Sequence, residues 1–177
     1  MDRDLDIAIV GAGIVGLTAA LSLHAAGFRP TVYEAVAQPA PLGVGINLLP
    51  HAVRELAELG LLDELLGIGV AITALHYLTA DGQPVWHEPR GLAAGYHWPQ
   101  IAIHRGDLQM FLLAKVRERL GADAVRLGQE LVAIERDAGR VQMRFADRTN
   151  SAVTSVEADL LIGADGIHSA VRRHYYP

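Results

Sequence analysis

The sequence predicts an α/β fold built on a parallel sheet, and three features carry that prediction. Leu5 to Val10 (LDIAIV) is a short apolar run, rich in β-branched residues, that stops at Gly11. A run without alternation is the pattern of a strand buried on both faces. From Ile14 to Ala26, apolar residues recur at helical spacing through Ile14, Leu17, Leu21 and Ala25. Ala19, Ala20 and Leu23 make the opposite side apolar as well, so this helix is mostly buried. Gly27 is placed to end it, and Arg29 to Glu34 (RPTVYE) reads as a second short strand. Strand, glycine turn, helix and strand make a βαβ unit with parallel strands and a right-handed crossover.

The elements that follow are shorter. The Pro- and Gly-rich stretch AVAQPAPLGVGINLLP reads as a loop. Helices are predicted over Pro50 to Leu59 and Leu61 to Leu66, then a strand over Ile72 to Thr79. Asp81-Gly82 is a hairpin signal, with Gln83 to His87 as the return strand. Glu88 to Gln100 reads as irregular. From His104 the segment HRGDLQMFLLAKVRERLG is a helix with the stripe Leu108, Phe111, Leu112 and Val116, closed by Gly121. Ala124 to Leu127 is a short strand. Glu130 to Arg136 and Arg140 to Ala146 alternate about a turn at Asp137 to Gly139, with Val153 to Val156 as a third antiparallel member. Asp159 to Ala164 is again a buried strand, and Gly166 precedes a helix in HSAVRRHYY.

The pattern GAGIVG carries the first chemistry. Gly11 lets the chain turn sharply, Gly13 lets a diphosphate approach bare backbone, and Gly16 lets the helix pack close to the strand. Free N–H groups at the helix start, together with the helix dipole, favour the phosphates. Glu34 closes the second strand, where a carboxylate accepts hydrogen bonds from the adenosine ribose and repels a 2′-phosphate. The predicted dinucleotide contacts are therefore Gly11, Ala12, Gly13, Ile14, Gly16, Glu34 and Ala35. The loop suits FAD or NAD rather than NADP, and by itself it does not separate the first two, since both carry an ADP half.

Composition removes other classes. The chain has 177 residues, enough for one domain with a hydrophobic core. It has no cysteine, which excludes a disulfide framework, a zinc–thiolate site, a thiol nucleophile and a redox-active cysteine pair. The net charge of −5, without a long run of one sign, argues against nucleic-acid and membrane-surface partners. The start MDRDLDIAIVGAG lacks a signal-peptide pattern, and no apolar run reaches the ~18 residues of a membrane span, so a cytoplasmic protein is expected. The histidines are scattered without a HExxH pair, so no metal site is expected. Ser169 lacks the GxSxG elbow of a nucleophile. Oligomeric state is left open.

Four segments in order, GAGIVG with Glu34, PLGVGINLLPHAVRELAELGLLDEL, HRGDLQ and GADGIHSAVR, resemble the N-terminal portion of the class A flavoprotein monooxygenases. That family includes salicylate and para-hydroxybenzoate hydroxylases, and the resemblance runs over essentially the whole chain. PLGVGIN, VWHEPRG and IHRGDLQMFLLAKVRERLG are most similar to the family's phenazine hydroxylases. The resemblance implies a Rossmann-like FAD-binding fold of the glutathione-reductase type, with parallel sheet and β-meander. It also implies the start of a substrate-domain sheet around residues 72–103. FAD is the implied cofactor, NADH or NADPH the co-substrate, and a small aromatic molecule the substrate.

Residue by residue, the family's cofactor-contacting arginine of HRxDL matches Arg105, beside the plainer reading of a salt-bridged or solvated residue near a helix start. The DG motif matches Asp165 and Gly166, where the aspartate also suits a helix cap. Leu131 matches a residue that touches adenine through its backbone, and Gly45 with Ile46 matches a flavin-lining loop or a plain turn. Tyr77, Trp86, Tyr96 and Trp98 suit either a planar substrate or ordinary packing. No general acid or base is nominated, because the chemistry belongs to the cofactor.

Family members are longer, with a GDAAH-like motif and most of the substrate sheet beyond the position of Pro177. The expectation is a partial FAD-binding domain over 1–177, inactive alone, with an exposed apolar patch. Two other functions stand beside this one: an NAD-linked dehydrogenase and a non-catalytic nucleotide-binding remnant.

Overall fold

A computed structural model describes residues 5–137 and 139–176, so Ala138 of the turn predicted at 137–139 lies outside the described residues. In chain order the elements are β1 (Ile7–Val10), α1 (Ile14–Ala25), β2 (Thr31–Glu34), β3 (Gly45–Leu48), α2 (Pro50–Glu58) and α3 (Leu62–Ile68). Then come β4 (Val70–Ile72), β5 (Ala74–Leu78), β6 (Pro84–Pro89), a 3-10 turn at Gly91–Ala94, β7 (Gln100–His104) and α4 (Arg105–Leu120). The last are β8 (Val125–Leu127), β9 (Gln129–Asp137), β10 (Arg140–Asp147), β11 (Val153–Ala158), β12 (Leu160–Gly163) and α5 (Ala170–Tyr175). They form two compact units, one of residues 1–40 and 109–177, the other of residues 41–108.

The first unit holds a four-stranded sheet in the order β12-β1-β2-β8, and each pairing is parallel. All four residues of β1 are buried, which is why its sequence shows no alternation. The helix α1 ends at Gly27 in a Schellman arrangement. Gly27 has φ +94°, its N–H donates to the His24 carbonyl at 2.9 Å, and the Phe28 N–H reaches back to the Leu23 carbonyl at 2.9 Å. Strands β9, β10 and β11 make the antiparallel meander, with β10 in the middle. Val141, Met143 and Phe145 of β10 point inward and join Val10, Tyr33 and Ile134 in one buried cluster. Phe145 stacks on Tyr33 with ring centroids 4.3 Å apart. Truncating a fully buried phenylalanine of this kind costs about 3–5 kcal/mol.

The second unit is built from the antiparallel sheet β3-β7-β4, the hairpin β5-β6, and the helices α2 and α3. Here several local expectations are replaced. The stretch read as a loop contains β3, and the segment read as irregular contains the 3-10 turn, with β7 starting at its last residue. β3 is one strand of a pair whose partner is distant in sequence: Gly45 lies opposite His104 and Leu48 opposite Ile101. The predicted strand over Ile72 to Thr79 divides into β4, which joins β7, and β5, which joins β6. The Asp81-Gly82 turn forms as predicted, with Gly82 at φ +87° and the Thr79 N–H on the Gln83 carbonyl at 2.8 Å. Tyr77, Leu78, Val85 and Trp86 of the hairpin are each more than half exposed. No helix among the described residues is long and apolar enough to cross a membrane.

Candidate functional site

The site of the first unit begins where β1 stops. Gly11 takes φ +105°, and a Cβ there would lie 2.4 Å from the Ala164 carbonyl oxygen at the end of β12. The Gly11 N–H donates to the Tyr33 carbonyl of β2 at 2.7 Å, and the Ala164 N–H donates to the Val10 carbonyl at 2.7 Å. The turn is thus stitched to both neighbouring strands. A Cβ on Gly16 would lie 1.9 Å from the Gly11 carbonyl oxygen, so this glycine is what lets α1 sit against the loop.

Gly13 differs from both. No atom lies within 4 Å of where its Cβ would be. The protein's own packing does not require glycine there, yet the position opens onto free space at the N-cap of α1. Gly13 is that cap; it has no side chain to bond the first turn, and the first turn carries no acidic residue. The N–H groups that begin a helix need a partner. A diphosphate in the free space would supply it and would meet the positive end of the helix dipole.

Glu34 faces this loop. One carboxylate oxygen accepts the Ala12 N–H at 2.7 Å and the other accepts the Val36 N–H at 2.8 Å. The acid is half-buried, and Ala35 beside it is half-buried too. A negative charge held one residue from the diphosphate cradle suits ribose hydroxyls and disfavours a 2′-phosphate. Open space, uncapped helix and acid together fit FAD's ADP half. Beneath the loop, burial raises the Tyr33 phenol above its usual range, while nearby Arg126 opposes the shift.

Gln109 was not among the residues the sequence nominates. Its side-chain amide donates to the Ala12 carbonyl at 2.9 Å, across 97 positions of chain. The residue closes the HRGDLQ motif, but neither spacing nor periodicity indicates that it reaches the glycine loop.

Asp165 and Gly166 follow β12 at the start of the last turn. Both Asp165 oxygens face α5: one accepts the Ser169 hydroxyl, and the other accepts the N–H groups of Ala170 at 2.6 Å and Val171 at 3.2 Å. The Asp165 side chain caps α5, as the sequence allows alongside a contact with the cofactor. Gly166 has φ +77° and faces open space. Leu131 lies on β9 opposite Phe145 with its side chain in the buried cluster, which leaves only its backbone for any ligand.

In the second unit, PLGVGIN and HRGDLQ form one assembly. The Arg105 N–H donates to the Val44 carbonyl at 3.0 Å, and the Arg105 side chain runs beside Gly43, which has φ +127°. His104 Nε2 lies 3.2 Å from the Gly43 carbonyl oxygen. Gly106 leaves no room for a side chain, since a Cβ would fall 2.5 Å from the Leu42 nitrogen. Arg105 is exposed and makes no ion pair among the described residues, so the salt-bridged reading of this arginine does not hold. Gly45 and Ile46 open β3 rather than forming a plain turn, and no atom lies within 4 Å of a Cβ on Gly45. Tyr96 and Trp98 line a cavity of about 460 Å³ in this unit, together with His51, Arg54, Arg90 and Gln100. Tyr77 and Trp86 are not in it; they lie exposed on the hairpin. No cluster of three or more metal-ligating side chains occurs among the described residues.

A family model described as a FAD binding domain, that of the class A flavoprotein hydroxylases, matches residues 4–175. The chain belongs to this family. Among its relatives, phenazine 1,6-dicarboxylic acid hydroxylase PhzS of Lysobacter antibioticus is 51% identical over 174 residues, which cover 97% of this chain and 43% of that protein. The 3-amino-4-hydroxybenzoate 2-monooxygenase of Streptomyces cremeus is 40% identical over 176 residues, 98% of this chain and 42% of that protein. Among solved structures, Klebsiella pneumoniae R204Q HpxO complexed with FAD superposes with a TM-score of 0.79 at 30% identity, covering 96% of this chain and 42% of that one. The chain therefore spans somewhat over two fifths of the length of these family members. The Rossmann-like FAD-binding fold and FAD as the cofactor are the properties it shares with them.

Proposed function

We propose that this chain is the FAD-binding part of a monooxygenase that hydroxylates a small aromatic substrate of the phenazine type, using NADH or NADPH and O2. The observation that carries the reading is the loop after β1: a helix start without a cap, free space at Gly13, and Glu34 turned toward the same backbone. The high identity to PhzS, whose name specifies a phenazine dicarboxylic acid, supports the substrate class. Bound flavin would supply the redox chemistry of the hydroxylation, with the second oxygen atom of O2 leaving as water.

The chain's own residues bind and orient. Gly13 and Ile14 present backbone to the diphosphate in a loop shaped by Gly11, Ala12 and Gly16, and Glu34 with Ala35 holds the adenosine ribose. Leu131 offers its backbone to adenine. Gly45 and Ile46, at the start of β3, border the flavin. Arg105 offers its exposed guanidinium to a phosphate or a flavin carbonyl. Asp165 and Gly166 contribute backbone, because the carboxylate is engaged with α5. A cytoplasmic setting goes with this reading, since reduced nicotinamide is supplied there.

The test uses the full-length protein with its flavin. Oxygen uptake and nicotinamide oxidation are followed with a panel of phenazine carboxylic acids and aminohydroxybenzoates. Substrate-dependent uptake with hydroxylated product is expected for a phenazine. Uptake that no aromatic compound stimulates would overturn the proposal.

A further inference from the structure

We infer that Gln109 is a positioning residue for the diphosphate, acting through the peptide that joins Ala12 to Gly13. This rests on the reading of the loop as the diphosphate site. Ala12 is held from two sides: Glu34 accepts its N–H at 2.7 Å, and the Gln109 amide donates to its carbonyl at 2.9 Å. In a trans peptide the carbonyl and the following N–H point in opposite directions. Holding the Ala12 carbonyl toward Gln109 therefore turns the Gly13 N–H away from Gln109.

Glycine makes this restraint necessary. With no Cβ at Gly13 and nothing within 4 Å of its place, sterics do little to stop the peptide rotating. A rotated peptide would present a carbonyl oxygen, the negative end of its dipole, where an N–H is needed for an anion. Gln109 holds the loop in the orientation that accepts the anion, and losing it lowers the fraction of molecules ready to bind. Gln109 comes from α4.

The experiment uses full-length apoprotein and two variants. Gln109→Met keeps the length of the side chain and removes the donor. Gln109→Glu keeps shape and polarity but turns an acceptor toward the Ala12 carbonyl. FAD, ADP and adenosine affinities are measured by titration and by competition against FAD, alongside the melting temperature of the ligand-free protein. The expected result for Gln109→Met is a loss of about 3- to 10-fold for FAD and ADP alike, the scale of one hydrogen bond. Gln109→Glu loses more than Gln109→Met. Adenosine, which has no diphosphate, binds both variants as it binds the unaltered protein, and the melting temperature falls by no more than the few degrees that one lost hydrogen bond costs.

Unchanged ADP affinity in both variants would overturn the inference. So would a loss shared equally by adenosine, since that marks a merely structural role. If ADP fails to compete with FAD on the unaltered protein, the reading of the loop as a diphosphate site falls first, and the inference falls with it.

Discussion

Two helices begin at the ends of neighbouring parallel strands, α1 after β1 and α5 after β12, and their first turns are satisfied in opposite ways. The start of α5 is closed by its own side chains. Asp165 takes the N–H groups of Ala170 and Val171, and the Ser169 hydroxyl accepts that of Arg172 at 2.8 Å. The start of α1 has glycine as its cap and no side-chain bond. Every helix start carries orphan donors that something must satisfy. Where side chains do so, the turn is self-contained. Where they are absent beside open space, the donors remain for the diphosphate of the proposed function, with Glu34 proposed for its ribose.

That contrast can be broken most severely at Gly16. Gly16→Ala puts a Cβ on the Gly11 carbonyl, and the expected cost is roughly 3 kcal/mol or more, so thermal denaturation of the full-length variant should show a strongly destabilised protein. Gly13→Ala separates binding from folding. It meets no protein atom, so its melting should stay within about 1 kcal/mol of the unaltered protein, while flavin content after purification falls to near zero. Full flavin content in that variant would show that the diphosphate rests elsewhere.

Glu34→Gln keeps one acceptor for the Ala12 N–H but removes the charge. It should weaken FAD binding by about 1–3 kcal/mol in a fluorescence titration, the scale of a charged hydrogen bond. Asp165→Ala is the smallest change and the sharpest control. It removes a cap at a cost of about 0.5–2 kcal/mol in chemical denaturation, with a smaller effect on FAD affinity than Glu34→Gln. A larger effect would mean that the closed helix start also serves the ligand through its side chain.

Legibility followed the range of the interactions. The strand β1, the helix α1 and the three glycines were readable because their geometry is local: a turn, a close approach and a helix start within a few residues of chain. The pairing of β3 with β7 was not readable, because a short glycine-bearing strand looks like a loop until its partner is known. Gln109 was missed for the same reason, since a side-chain amide on a helix announces nothing about a carbonyl 97 positions away. Asp165 was readable as a cofactor residue that also suits a helix cap, and the placement of its oxygens on α5 shows the cap.

By itself, the order of residues determined the class of fold, the glycine loop with an acid at the end of the second strand, and the exclusion of cysteine chemistry, because each depends on residue type at short spacing. The tertiary structure alone decided which glycines are demanded by packing and which one stands open, which helix start is capped, and which side chain restrains the loop. Those outcomes depend on distances between segments remote in the chain, and no local pattern encodes a distance that only folding creates.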